Sequence, residues 1–319
     1  MPSLTHTVSE LLRDGLRLDR YVAETMGVLS RSQVKARGLK ARVNGREAKV
    51  SCPVKNGDLL ELCWNEAEPV DLVPEDIPLD IIYECGRAVV INKSQGMVVH
   101  PGAGNWCGTL ANALYHRRLR QGQNSGDGRI DGSRQYGPGL RPGIVHRLDK
   151  DTSGVMVAAY DDEALAFLAE QFKSRKAKKK YVAIANGIPR ERKGRIETFI
   201  ARDPKDRKRF AVAGQGRSAV TFYSVLKTWQ KHSLILLRPR TGRTHQLRVH
   251  LRHLGHPIVG DPLYGLSPDP FFSKAGLMLH ARSLAVILPG ENAERLFKAP
   301  LPRRFAAMIR RLDGFGNGR

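Results

Sequence analysis

One segment of the chain crowds polar side chains directly before an apolar run: Arg141-Pro142-Gly143-Ile144-Val145-His146-Arg147-Leu148-Asp149-Lys150-Asp151-Thr152-Ser153-Gly154, followed by Val155–Ala159. Its two carboxylates, Asp149 and Asp151, have basic neighbours. Because nearby positive charge keeps a carboxylate ionised at neutral pH, both are candidate nucleophiles or general bases. Aspartates on an arbitrary loop more often cap backbone groups in Asx-type turns, and the local sequence does not separate Asp149 from Asp151.

Around this segment, short apolar runs are many and helical patterns are few. The runs, each typical of a strand, are 81–83, 88–91, 155–159, 181–185 and 234–237. Helices are predicted over residues 109–119, 162–172 and 244–254, and Gly255 is the predicted C-terminal cap of the third. This balance predicts an α+β fold with a mixed, mostly antiparallel sheet. The Gly-rich stretch 121–141 is predicted to be a mobile surface loop.

A smaller unit is predicted at the N-terminus. Apolar residues between Leu18 and Val22 recur at helical spacing, and a second helix is predicted to begin at Ser30, which matches a capping box with Gln33. The tripeptide Val43-Asn44-Gly45 predicts a tight hairpin, and residues 58–62 a closing strand.

A Pro- and acid-rich stretch separates the two regions. Pro69, Pro74 and Pro78 fix φ, so residues 69–78 are predicted to be a stiff linker. The predicted organisation is therefore a small α/β domain over 1–68, the linker 69–78, and a large α+β domain over 79–319.

The charge balance indicates a polyanionic partner. Lys and Arg number 53 against 31 Asp and Glu, a net charge of +22, which favours nucleic acid. Residues 31–49 contain seven basic residues but a single acid, Glu47, whereas an ordinary solvated helix would interleave acids. We predict that this stretch binds RNA phosphates, with three of its residues on one helical stripe (Arg31, Lys35, Lys40) and two more beside it (Arg37, Arg42).

Several other classes of protein are disfavoured. The chain contains no phosphate-binding loop, no dinucleotide-binding glycine motif and no histidine cluster at metal spacing, so we expect neither cofactor nor metal. Four scattered cysteines are predicted to be buried reduced thiols: Cys52, Cys63, Cys85 and Cys107. No signal peptide is recognisable and no apolar run approaches the ~18 residues of a membrane span, so we expect a cytoplasmic protein with no membrane partner. We also predict a monomer.

The segment His146–Gly154 resembles the signature His-Arg-Leu-Asp-x-x-Thr-Ser-Gly of the RluA family of pseudouridine synthases. Three further segments agree with this family in order and spacing, namely 179–183, 241–251 and 255–265. Residues 16–58 resemble the S4 RNA-binding module. Together with the segment His100–Asn105, this resemblance points to the branch of the family that acts on large-subunit ribosomal RNA.

The resemblance implies a fold, a reaction and roles for particular residues. It implies the pseudouridine synthase fold with an N-terminal S4-like domain, and isomerisation of uridine to pseudouridine in RNA without a cofactor. Asp149 corresponds to the catalytic aspartate, Tyr181 to the aromatic residue that stacks on uracil, and Arg248 to the arginine that pairs with the aspartate. Arg147 corresponds to an arginine that enters the RNA stack as the target base leaves it, although a plain phosphate contact is its simpler role.

Two other functions fit part of the sequence. A noncatalytic RNA-binding or ribosome-assembly factor would also carry the S4-like stretch and the positive charge. A glycoside or nucleoside hydrolase would need two acids flanking one bond, and Asp151 is too close in sequence to Asp149 to be an obvious partner. Ribosomal RNA of the large subunit is the predicted substrate, with tRNA as the second possibility.

Overall fold

The computed structural model describes residues 1–9, 15–29, 31–65, 72–102, 104–124, 143–265 and 276–316. These residues divide into two compact units, 1–65 and 72–316, each with its own apolar core. Among the helices of these ranges, none is long and apolar enough to cross a membrane.

The first unit is a four-stranded antiparallel sheet with short helices. Its elements are β1 (Ser3–Thr7), α1 (Leu18–Arg20) continued by a π-helical turn (Tyr21–Thr25), α2 (Arg31–Ala36), β2 (Lys40–Val43), β3 (Arg46–Ala48) and β4 (Leu59–Cys63), and the strand order is β1-β4-β2-β3. The predicted hairpin is confirmed, since Asn44 and Gly45 have φ of 52° and 77° between β2 and β3. Its likeness to an S4 module stays a prediction.

The predicted basic stripe on one helix is wrong. Helix α2 ends at Ala36, the chain reverses at Gly38 with φ of 57°, and Lys40 already lies on β2. Lys40 and Arg42 instead share one exposed face of this strand, because alternate residues of a strand point the same way. Lys35 is exposed and Arg37 half-buried, whereas the side chain of Arg31 and all of Ser30, with its predicted cap, lie outside the described residues.

The second unit contains a ten-stranded sheet. Its strands are β5 (Ile81–Glu84), β6 (Ala88–Lys93), β7 (Ser153–Ala159), β8 (Lys178–Asn186), β9 (Lys193–Arg202), β10 (Phe210–Ala213), β11 (Arg217–Thr228), β12 (His232–Pro239), β13 (Leu279–Ile287) and β14 (Glu294–Lys298), and its helices are α3 (Leu110–Asn124), α4 (Asp162–Lys173), α5 (Gln246–His253) and α6 (Arg303–Gly316). The order is β10-β9-β11-β12-β8-β13-β7-β6-β5, with β14 beside β13. Within the described ranges every named strand pair is antiparallel except β13 with β7, so the predicted mixed α+β architecture is confirmed.

The central strands explain why apolar runs predicted this sheet. Strand β7 is buried at all seven positions and lies between β6 and β13. Helix α4 begins where the Asp161 carboxylate accepts a hydrogen bond from the Ala164 amide at 2.7 Å, and its Leu168 is fully buried in the core. Towards the other end of the sheet, β9 alternates exposed and more buried positions, as expected for a strand with one solvent-exposed face.

Two predictions made from local patterns need correction. Helix α3 extends to Asn124, so 121–124 is helical, and the rest of the predicted loop lies outside the described residues. The four cysteines are free, yet Cys107 is exposed and the other three are only half-buried. The linker 69–78 stays a prediction; within it, the Val73 carbonyl accepts a hydrogen bond from the side-chain amide of Asn112 on α3.

Gly154, which ends the polar segment, has no room for a side chain. Its φ is 121°, and an added Cβ would lie 2.3 Å from the carbonyl oxygen of Ala281 on β13. We expect Gly154→Ala to lower the free energy of unfolding of this unit by about 2–4 kcal/mol, measured by urea denaturation. Gly255→Ala is the matched control, because Gly255 also has positive φ but faces open space, so only about 1–2 kcal/mol of backbone strain is expected. Equal losses in the two variants would refute the steric explanation.

Candidate active site

A cleft of about 600 Å³ opens on the second unit. Its walls come from the polar segment between 144 and 152, the end of α4, the start of β8, and the turn 239–248 that leads into α5. Asp149, Tyr181, Arg248 and Arg147 all line this one cleft. Tertiary structure therefore gathers the four residues that the sequence predicted for the chemistry.

Asp149 presents its carboxylate to the cleft, with 18% of the side chain exposed. Its Oδ2 lies 3.5 Å from Nη1 of Arg248 and 4.0 Å from Nε2 of His245. The backbone carbonyl of Asp149 accepts a hydrogen bond from the Thr152 amide at 3.0 Å, which closes the loop as a turn. Positive charge faces this carboxylate, as required of an ionised nucleophile or base.

Lys93 holds the loop that carries Asp149 in place through hydrogen bonds. Its side chain is fully buried, and Nζ donates to the carbonyl oxygens of Ser94, Met97 and Lys150 at 2.9, 2.8 and 3.0 Å. Burial lowers the pKa of Lys93 to about 8, against the attraction of Asp151 and Asp149. The hydrogen bond to the Lys150 carbonyl ties the loop that carries Asp149 to the end of β6, a contact that the sequence did not predict.

Arg248 is held mainly by a different carboxylate from the one predicted. Its Nε and Nη2 donate to Asp261 at 2.8 and 2.7 Å, and 4% and 0% of the two side chains are exposed. Asp261 Oδ1 also accepts hydrogen bonds from the amides of Leu263 and Tyr264. The bidentate pair with Asp261 positions the guanidinium, and its remaining Nη1 makes the longer contact to Asp149.

Tyr181 lies on β8 and forms part of the cleft wall. Its neighbours across the sheet are Leu237 on β12 and Ala281 on β13. Burial, and secondarily the charge of Asp149, raise the pKa of the Tyr181 hydroxyl far above its usual range. The hydroxyl is therefore neutral at physiological pH, and the ring offers an apolar surface beside Asp149.

His245 completes the cluster and was missed by the sequence analysis as a site residue. It adopts a left-handed backbone (φ 55°) just before α5, and its Nδ1 lies 2.8 Å from the Tyr264 hydroxyl. Burial lowers the pKa of His245, although Asp149 opposes this effect. Among the described residues no cluster of three or more His, Cys, Asp or Glu side chains could hold a metal ion.

His146 has a structural position in the same segment. Its ring stacks on Phe172 with centroids 4.4 Å apart, and Nε2 accepts a hydrogen bond from the Val157 amide at 3.0 Å. Burial lowers the pKa of His146 to about 3, so the ring is neutral. Its neighbour Arg147 is exposed at the cleft.

Comparison with known proteins shows the family of this chain. Residues 87–253 match the family model described as RNA pseudouridylate synthase. The ribosomal large subunit pseudouridine synthase D of Borreliella burgdorferi is 40% identical over 93% of this chain and 89% of its own length, and the protein of that name from Escherichia coli O6:H1 is 38% identical over 96% and 93%.

A solved structure has a similar fold. The human RNA pseudouridylate synthase domain containing 4 is similar with a TM-score of 0.57 and 29% identity, covering 73% of this chain and 93% of its own. The resemblance indicated by the motifs is thereby confirmed. This chain belongs to the RNA pseudouridylate synthase family.

Proposed function

We propose that this chain isomerises uridine to pseudouridine in large-subunit ribosomal RNA, with Asp149 as the catalytic carboxylate. The observation that carries the proposal is the position of Asp149, which projects into a cleft beside the guanidinium of Arg248 and the ring of Tyr181. The reaction breaks the bond from C1′ to N1, turns the uracil, joins C1′ to C5 and removes the C5 proton.

Asp149 suits the first step by either of two routes. An ionised carboxylate can attack C1′ or abstract a proton from the sugar, and it stabilises positive charge as the glycosidic bond weakens. Arg248, held by Asp261, orients the carboxylate. The wall formed by Tyr181 retains the freed uracil. Once C1′ and C5 are joined, the C5 proton passes to a base and on to water, and N1 takes up a proton from solvent.

The target uridine has to leave the RNA stack before its C1′ and C5 can reach Asp149. Extrusion of a base costs a few kcal/mol, which contacts to the flipped-out nucleotide in the cleft have to offset. Arg147 is exposed at the cleft beside the catalytic loop, a position that suits either occupation of the vacated stack or a contact to a flanking phosphate.

The names of two relatives and the positive charge of the chain support ribosomal RNA as the substrate. The relatives from B. burgdorferi and E. coli are named for the ribosomal large subunit, and the chain carries a net charge of +22. A ribosomal RNA substrate fits a cytoplasmic protein, and we propose that it acts there as a monomer without metal or cofactor. A tRNA substrate is the competing possibility.

Release of tritium from RNA labelled at C5 of uridine tests the activity. Transcripts of large-subunit ribosomal RNA, small-subunit ribosomal RNA and tRNA are incubated with the full chain, and release is expected from the first alone. Release only from tRNA would overturn the substrate assignment. Tight binding to ribosomal RNA with no release would favour a noncatalytic RNA-binding factor instead.

The exposed basic face of β2 should contribute to affinity and not to chemistry. We expect the double substitution Lys40→Met and Arg42→Met to weaken binding of ribosomal RNA and to reduce the slope of log K against log[KCl] by about 1.4–1.8, since each lost phosphate contact removes ~0.7–0.9. Filter binding from 50 to 300 mM KCl, roughly the range in which such slopes are resolved, measures it. An unchanged slope would exclude these two residues from the RNA interface.

A further inference from the structure

Lys179 lines the cleft of Asp149 and takes no part in the proposed reaction steps. It precedes Tyr181 by two residues on β8, so the two side chains point to the same face of the strand. Nζ lies 5.8 Å from the centroid of the Phe172 ring, and within 3.9 Å of where a Cβ on Gly242 would stand. The ammonium group is thus fixed between α4 and the turn that precedes α5.

The environment of Lys179 leaves its charge uncompensated. Among the described residues no carboxylate forms an ion pair with it, and burial lowers its pKa. Its neighbours on β8 differ, because Lys178 pairs with Glu294 at 2.9 Å and Lys180 is exposed. The Phe172 ring supplies a weak cation–π contact, which offsets only part of the cost of burying an ammonium group.

We propose that Lys179 binds a backbone phosphate of the flipped-out uridine, and so positions the substrate for Asp149. One two-residue repeat of a strand spans ~6.6 Å, so Lys179 lies one such step from the ring on which the uracil is proposed to rest. The phosphate and the base of a nucleotide extend from opposite sides of its ribose, which matches a cleft with an apolar wall at Tyr181 and a cation beside it.

The geometry favours a phosphate over a carbonyl oxygen of the base. Gly242 carries no side chain, so the space next to the ammonium group is open to a bulky anion. A full negative charge restores the charge balance that burial of Lys179 lacks, whereas a neutral carbonyl does not. Lys179 is accordingly a substrate-positioning residue that acts before bond breaking.

The experiment is single-turnover tritium release from 5-labelled large-subunit ribosomal RNA, with protein in excess and KCl varied. For Lys179→Met we expect the protein concentration at half-maximal rate to rise on the order of tenfold, with the maximal rate nearly unchanged. The slope of log half-saturation against log[KCl] should fall by about 0.7, the value for one contact to single-stranded nucleic acid. Lys179→Arg keeps the charge and should retain the parental slope.

Lys180→Met is the matched control, because Lys180 points to the opposite face of β8, and it should keep the parental half-saturation and slope. A loss of maximal rate in Lys179→Met with an unchanged slope would overturn the proposal in favour of a contact to the base. Parental behaviour of Lys179→Met would overturn it as well. Because this inference rests on the proposed function, absence of release from the parent protein would instead reject that function.

Discussion

Asp149→Asn is expected to lower the rate of pseudouridine formation by at least about 10³-fold, because asparagine keeps the shape of the side chain but supplies neither a nucleophile nor a base. Affinity for RNA should be nearly parental, since removal of a negative charge from the cleft does not weaken phosphate contacts. Tritium release and filter binding on the same transcript measure the two quantities separately. Parental release would reject Asp149 as the catalytic carboxylate.

Asp151→Asn is the matched control, two residues along the same loop. The carboxylate of Asp151 is absent from the lining of the cleft, and its charge instead acts on the buried ammonium of Lys93. We therefore expect most of the activity to remain. A collapse of activity in Asp151→Asn with little effect of Asp149→Asn would exchange the roles of the two aspartates, an alternative that their shared basic neighbourhood had left open.

Asp261→Asn is expected to lower the free energy of unfolding of the second unit by about 3–5 kcal/mol, because it leaves the buried guanidinium of Arg248 without its main counter-charge. The side chain of Asp261 is fully buried and contributes both oxygens to this pair. Activity should fall with stability, since Arg248 loses the contact that aims it at Asp149. Urea denaturation followed by near-ultraviolet circular dichroism measures the stability change.

Two further variants make this prediction specific. Glu197→Gln breaks the pair between Arg195 and Glu197, whose side chains are more than half exposed, and should leave stability unchanged. Combining Asp261→Asn with Arg248→Gln replaces the buried ion pair by a neutral one and should recover part of the lost stability, while the protein stays inactive. An unchanged free energy of unfolding in the single Asp261→Asn variant would show that the pair of Arg248 with Asp261 does not stabilise this unit.

Local patterns were reliable where burial and chain direction act within a few residues. The hairpin at Asn44 follows from two residues that tolerate positive φ, and β7 follows from an uninterrupted apolar run. Local patterns failed where contact with a neighbouring element determines the secondary structure. Lys40 fitted a helical period with Arg31, yet pairing with Cys63 on β4 places it on a strand. Helix α6, with the buried Phe305 and Met308, was not predicted.

The partner of Arg248 illustrates the same limit at the site. The resemblance implied that Arg248 pairs with Asp149, whereas Asp261, thirteen positions further on, takes its two shortest hydrogen bonds. The only signal for Asp261 was its place in a segment that agrees with the family. Choosing between two carboxylates requires their distances, and those depend on how the turn after α5 folds back onto the helix.

The sequence by itself indicated the family, and through it the reaction and the candidacy of Asp149, because the polar segment before Val155 and three further segments match the family in order and spacing. Only the tertiary structure decided which groups touch that carboxylate. It placed Lys93 beneath the loop, His245 and Arg248 beside it, and Asp261 behind the arginine. Such contacts join residues far apart in the chain, and their strength depends on burial and angstrom-scale distances that no linear pattern specifies.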